Sequence, residues 1–189
     1  MKEITPEADS SYDPFWNYSL MVYQRTGLAD ACIRLQDQYG LDVNVVLFCV
    51  WCGVEGPGRL GGSRLGASVE VTRDWQRRAV VPLRGLRRHL KENPGPLDAA
   101  LVEAVRKSVA AAELEAEHAE QILLSETVTD LERSARDETA ALDAAIANLA
   151  SYLRLQKVAI DPALVDDLEA VLTGCIRGAE IADLAGRLD

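Results

Sequence analysis

The run from Gly40 to Gly53, GLDVNVVLFCVWCG, constrains the fold more than any other stretch of this chain. It is the most apolar segment, and its uninterrupted part covers only Val45 to Cys52. A membrane-crossing helix needs about 20 predominantly apolar residues, so this run is too short to span a bilayer and has to be covered by protein. Asp42 stands where an N-cap would and Gly53 where a helix stops, which predicts a buried helix of about three turns. Apolar on every face, that helix must be central, with other elements packed around it. Val43, Val45, Val46 and Val50 would also suit a strand; the capping residues and the helical neighbours favour helix.

The run contains Cys49-Val50-Trp51-Cys52. A redox-active pair needs its nucleophilic thiol at a helix N-terminus, where the dipole stabilises thiolate. These cysteines fall toward the C-terminal end, where the dipole acts the other way. Zinc would require two more ligands, and Cys32, Cys175, His89 and His118 supply no second pair at ligand spacing. Cysteine is among the most buried residue types, so Cys32, Cys49 and Cys52 read as small core residues, and no metal or cofactor is expected.

Other helices flank this one. Asp13-Pro14 forms an N-cap and first-turn pair, opening a helix PFWNYSLMVYQRT that ends at Gly27. Leu28 to Tyr39 carries Ala31, Cys32, Leu35 and Tyr39 at helical spacing and ends at Gly40. Short glycine connections between the three predict a compact three-helix unit. Residues 53 to 66, GVEGPGRLGGSRLG, match no phosphate-binding glycine pattern and read as a surface loop. A helical stretch from about Ser68 to Glu92 is interrupted by Pro82, which predicts a kink or two abutting helices. After the break Asn93-Pro94-Gly95-Pro96, a long helix runs from Leu97 to about Ser125. In it Leu101, Val105, Ala112, Ala116, Ala119 and Leu123 approximate a heptad seam, with Glu113, Glu115, Glu117 and Glu120 assigned to the outer faces. Residues 126 to 137 read as a turn. Glu138 to Lys157 carries Leu142, Ile146, Leu149 and Leu153, Asp161-Pro162 starts a helix toward Cys175, and a last helix is expected from Ala179 to Leu188.

Eight of the ten aromatic residues lie between positions 12 and 51, so the large side chains gather in the N-terminal part and the Ala/Leu-rich remainder must pack as close helices. The net charge of −10 opposes general affinity for nucleic acid or anionic lipid. Within this acidic chain, Arg73, Arg77, Arg78, Arg84, Arg87, Arg88 and Lys91 form a basic stretch broken by one acid, Asp74. Arg77, Arg78, Arg84, Arg87 and Arg88 are candidates for docking an anionic partner. The glutamates of the next helix could instead neutralise them across an antiparallel hairpin, with exposed pairs worth at most about 1 kcal/mol each. Glu115 and His118 have the Glu-x-x-His spacing of di-iron bundles, but no second copy exists, and a solvated helix face explains them. The opening residues MKEITPEADSSYDP hold no apolar h-region, which predicts no secretory signal and, with four cysteines, a reducing cytoplasm.

The residues FWNYSLMVYQRTGLADACIRLQDQYGLDVNVVLFCVWCG resemble the opening of an uncharacterised helical family of bacterial proteins, a domain of unknown function marked by Phe-Trp, Leu-x-x-Tyr and a Gly-Leu-Asp-Val-Asn-hydrophobic-Phe-Cys-hydrophobic-Trp block. VTRDWQRRAVVPLRGLRRHLK and ELEAEHAEQ resemble its later segments. The likeness covers residues 12 to 125; Cys52 falls where the family tends to carry an apolar residue. The resemblance implies a bacterial cytoplasmic protein and no known activity.

These observations predict an all-α helical bundle: a leader over 1–11, a family-like domain over 12–125, and a helical extension over 126–189 that packs on the domain or on a partner. The expected role is a non-catalytic adaptor or regulatory subunit, meeting another protein or a second copy through its amphipathic C-terminal helices. The alternative is a small enzyme or ligand binder with a pocket among Trp16, Tyr23, Tyr39, Asp42, Asn44 and Trp51. Nucleic-acid docking through Arg73 to Lys91 is a third reading. No nucleophile with a matching base is visible.

Overall fold

The computed structural model describes residues 13–93, 95–133, 137–176, 178 and 180–189, and the leader expected over 1–11 lies outside them. Among the described residues the protein is all-α. Helix α1 (Pro14–Tyr23) starts as its sequence requires, with the Asp13 side chain accepting from the Trp16 N–H at 3.1 Å and Pro14 in the first turn. Helix α2 (Leu28–Tyr39) lies between Gly27 and Gly40, both in the left-handed conformation that glycine adopts without strain. Helix α3 (Val43–Val54) is the central element, buried from Val43 to Gly53.

Gly53 is not the stop expected of it. It sits inside the last turn of α3, against α7 (Glu138–Gln156), where an added Cβ would stand 2.6 Å from the Ala145 nitrogen. Helices α3 and α7 share the most extensive contact among the described elements, so α7 completes the core around the three N-terminal helices. Leu142, Ile146, Leu149 and Leu153 of α7 are all buried in the same core as Phe15, Phe48 and Trp51. The partner face that their spacing demands is therefore supplied by this chain.

The glycine-rich stretch is shorter and better anchored than a surface loop. Helix α4 (Gly62–Trp75) begins within it. Asn148 of α7, fully buried, accepts from the Leu60 N–H at 2.8 Å and donates to the carbonyls of Gly58 and Cys49 at 3.0 and 3.1 Å. The interruption foreseen at Pro82 takes the form of a wide π turn over Gln76–Val80, after which α5 (Val81–Glu92) continues. The extra residue in the turn accommodates the proline, which cannot donate to the preceding carbonyls.

Helix α6 (Ala99–Glu126) runs back along α5. Helix α8 (Pro162–Cys175), capped by Asp161, packs on α2, where Arg34 pairs with Asp167 at 2.6 Å. The final helix, α9 (Leu184–Leu188), is shorter than the sequence suggested; Ala179, its expected start, lies outside the described residues. All four cysteines are buried. Burial pushes the Cys175 thiol up to about 11 and that of Cys32 to about 12, and raises Cys49 as well, so none of these three is a thiolate at neutral pH. Among the described residues, no helix is long and apolar enough to cross a membrane.

Candidate functional site

Where the N-terminus of α3 meets α6, the structure buries a chain of polar side chains. Asp42 caps α3 by accepting from the Asn44 N–H at 2.9 Å. The Asn44 side chain donates to Glu120 at 2.8 Å and accepts from the Gln121 amide at 2.8 Å; Gln121 in turn accepts from the Ser19 hydroxyl at 2.9 Å. The backbone N–H of Asp42 donates to the Tyr152 hydroxyl at 3.0 Å, joining α7 to the set.

Asn44 thus links the carboxyl groups of Asp42 and Glu120, its backbone N–H donating to the first and its side-chain amide to the second, and each carboxyl bears on the ionisation of the other. Burial, reinforced by the charge of Asp42, pushes Glu120 up to about 9, and burial raises Asp42 too. Two carboxylates so placed cannot both ionise at neutral pH, and the pair titrates as a unit holding one proton. A carboxyl raised in this way favours the folded state at low pH. Between the unfolded value, about 4.3 for glutamate, and about 9 the unfolded chain gives up a proton that the folded chain keeps, so the contribution declines as pH rises. Glu120→Gln keeps the shape and hydrogen-bonding capacity without the titration. Its melting temperature relative to the parent should rise steadily from pH 5 to pH 9; a difference independent of pH would contradict the shared proton.

Next to this pair, α2, α5 and α6 enclose a cleft of about 550 Å³. Its floor is ionic. Glu113 accepts from Arg84 Nε at 3.1 Å and from Arg87 Nε, and Arg84 also reaches Glu117 at 2.5 Å. Arg88 crosses to Asp37 on α2 at 2.7 Å. Arg77 and Arg78 lie apart on the outer surface, each beside Asp74. Glu113 and Glu120 are thus buried and Glu117 partly so, where their charge had suggested outer faces; only Glu115 of the four is exposed. The arginines that bind two of them are what makes burial tolerable.

The aromatic residues proposed as a pocket do not converge. Trp51 is fully buried in the core, its ring 5.2 Å from that of Phe15. Trp16 stacks on His118 with ring centroids 4.4 Å apart, and His118 Nε2 lies 3.4 Å from Asp13. That histidine therefore pins the start of α1 to α6, where a solvated face had been expected. Tyr39 donates to Asp161 at 2.8 Å and ties α2 to α8. Tyr23 and Asn44 line the cleft, and Asp42 lines the recess beside it. Sequence reasoning missed Gln121, Ser19 and Tyr152. The spacing of Glu113, Glu117 and Glu120, four residues and then three, does place them on one helix face and was the legible signal.

Residues 14–124 match a family model described as "Protein of unknown function (DUF2390)", nearly the stretch over which the sequence resembled a helical family. No curated protein and no solved structure matches the chain.

Proposed function

Because the chain belongs to this family of unknown function, membership supplies no activity, and from the geometry we propose that the protein is a non-catalytic binding module that receives an acidic amphipathic helix of another protein on its α5–α6 hairpin. The observation that supports this reading is the apolar surface of the hairpin. Helix α5 buries no residue. Leu86 is 45% exposed, Leu97 68%, Leu101 63% and Val105 52%. Leu83 of α5 and Ala104, Val105 and Val109 of α6 line a groove of about 390 Å³. Leu101, Val105, Ser108 and Ala112 follow the 4-3-4 spacing of a single helix face, the form of surface that takes an amphipathic helix. The self-association expected of the C-terminal helices has no such support from Leu142, Ile146, Leu149 and Leu153 of α7, which are buried in the core of this chain.

Charge supports an acidic occupant. From Gln76 to Ala112 there are eight basic and three acidic residues, a net of +5 in a chain whose total is −10. Lys91 and Lys107 are exposed, and no ion pair is formed by either among the described residues. Nucleic acid is a weaker fit, because Arg84, Arg87 and Arg88 are already bound to Glu113, Glu117 and Asp37.

A photo-crosslinking residue placed at Leu86 or at Val105, in the cells the protein comes from, tests this. The expected product at both positions is the same acidic helical segment, and a synthetic peptide of that segment should bind the purified protein less tightly as salt rises. Leu101→Asp should weaken the peptide at least about tenfold, the loss of roughly one buried leucine contact, while shifting stability by no more than about 0.5 kcal/mol, since the position is exposed. Crosslinks to a second copy of the chain, to nucleic acid, or to nothing would each overturn the proposal.

A further inference from the structure

Two adjoining recesses, of about 260 and 350 Å³, open at the C-terminal end of α2 and share Gly40, Asp42, Gln76 and Val81. The smaller has apolar walls in Val45, Val69 and Val81. An apolar cavity of about 150 Å³ holds benzene, so this recess has room for a substituted six-membered ring. The π turn starts at Gln76 and is followed by Val81, and the widened segment forms one wall.

The charge around the recesses is positive. Arg73 and Arg77 line the smaller and Arg84 and Arg88 the larger, against one acid, Asp42. Asp42 is turned to the start of α3, where it accepts from the Asn44 N–H. Arg84 is committed to Glu113 and Glu117. Arg73, Arg77 and Arg88 are held by Glu70, Asp74 and Asp37 in pairs exposed on both sides. Exposed pairs contribute little, so these three guanidinium groups can turn to an incoming anion at small cost.

The smaller recess changes character with depth. Arg73 and Arg77, 63% and 66% exposed, stand at its mouth. At its inner end lie Tyr152, 2% exposed, and Gln76 Oε1, which is buried and receives no hydrogen bond. A buried acceptor without a donor is costly, and a hydroxyl brought in by a ligand would satisfy it. The order from mouth to floor is thus cationic, apolar, acceptor, the arrangement of a site in which a few polar groups orient an apolar body.

We propose that this recess binds a small hydroxyaryl carboxylate. The carboxylate lies between Arg73 and Arg77, whose forked N–H groups match its two oxygens. The ring lies against Val45, Val69 and Val81, and the hydroxyl donates to Gln76 Oε1. The inference is independent of the hairpin reading, whose apolar groove is lined by other residues.

NMR titration of the isotope-labelled full chain with 4-hydroxybenzoate, and separately with benzoate and with phenol, tests it. The expected result is saturable binding of 4-hydroxybenzoate with a Kd of about 1 mM or tighter, as suits so small a ligand, and shifts centred on Val69, Gln76 and Val81. Benzoate lacks the donor and phenol the charge, so each should bind about tenfold more weakly. Arg73→Gln combined with Arg77→Gln should erase the preference over phenol but keep that over benzoate; Gln76→Leu should do the reverse. A general loss of structure would not produce that crossed pattern. Both arginines are exposed, so the double variant should fold, and it decides the matter if Gln76→Leu does not fold. Absence of saturable shifts at millimolar concentration, equal affinity for the three compounds, shifts centred elsewhere, or an arginine variant that keeps the preference over phenol would overturn the assignment.

Discussion

Gly53→Val is expected to lower the melting temperature by about 10 °C or more, equivalent to roughly 3 kcal/mol or above for a chain of this size. The reason is geometric. A Cβ at Gly53 would stand 2.6 Å from the Ala145 nitrogen, 2.9 Å from the Ala145 Cα and 2.9 Å from the Ala141 carbonyl oxygen. All three are backbone atoms of α7, so no side-chain rotation relieves the overlap and the two helices must separate. The opposite wall is already made of small residues, with Ala141 and Ala145 on one face of α7, four residues apart. Separation would loosen the contact that buries Leu142, Ile146 and Leu149, and loss of close packing has a cost even where no atom is removed. Gly62→Ala is the control: nothing lies within 4 Å of a Cβ there, and replacing a helical glycine with alanine reduces the entropy of the unfolded chain. Thermal melts that place both variants within 2 °C of the parent would show that α3 and α7 do not approach as closely as described.

The same glycine illustrates how far the sequence could be read. Asp13-Pro14, Asp42 and Asp161-Pro162 identified helix starts because a capping carboxylate acts within three residues of itself, and each does accept from a first-turn N–H. Gly53 was read by the same local logic as a stop. Its role depends on Ala145, ninety-two positions away, and no neighbour in sequence announces that contact. Asn148 is a similar case: an asparagine in an Ala/Leu-rich helix gives no sign that it anchors Leu60, Gly58 and Cys49.

The candidate site was legible in its residues and not in its arrangement. Asp42, Asn44, Arg84, Arg87 and Arg88 stood out from composition alone, as did the glutamates of α6. Assigning those glutamates to the solvent followed from the cost of burying charge, and that cost applies only to a charge without a partner. Glu113 and Glu117 are compensated by arginines, and Glu120 by a proton, so one helix face carries two different solutions to the same problem. Whether a given glutamate faces solvent was therefore decided by a helix more than twenty residues earlier in the chain.

Glu113→Ala should destabilise the protein by about 3 kcal/mol, near the lower end of the cost of breaking a buried ion pair, because one of its partners is 30% exposed. The Glu113 carboxylate holds both Arg84 and Arg87, and its removal leaves the Arg84 guanidinium, only 12% exposed, with Glu117 alone. The combined change Arg84→Met, Glu113→Leu and Glu117→Leu removes the charges together and should recover most of the loss, since apolar replacement of a buried ionic group is often neutral. Equilibrium denaturation of the single and triple variants measures this; a single-variant loss below about 1 kcal/mol, the range of exposed pairs, would mean that water already screens the cluster. Heparin chromatography adds a functional reading. Glu113→Ala and the exposed Glu115→Ala change net charge equally, but only the first releases arginines, so it should elute at higher salt. Equal elution would mean that Arg84 and Arg87 are accessible to anions in the parent protein, and would return nucleic acid to contention as the occupant of the hairpin.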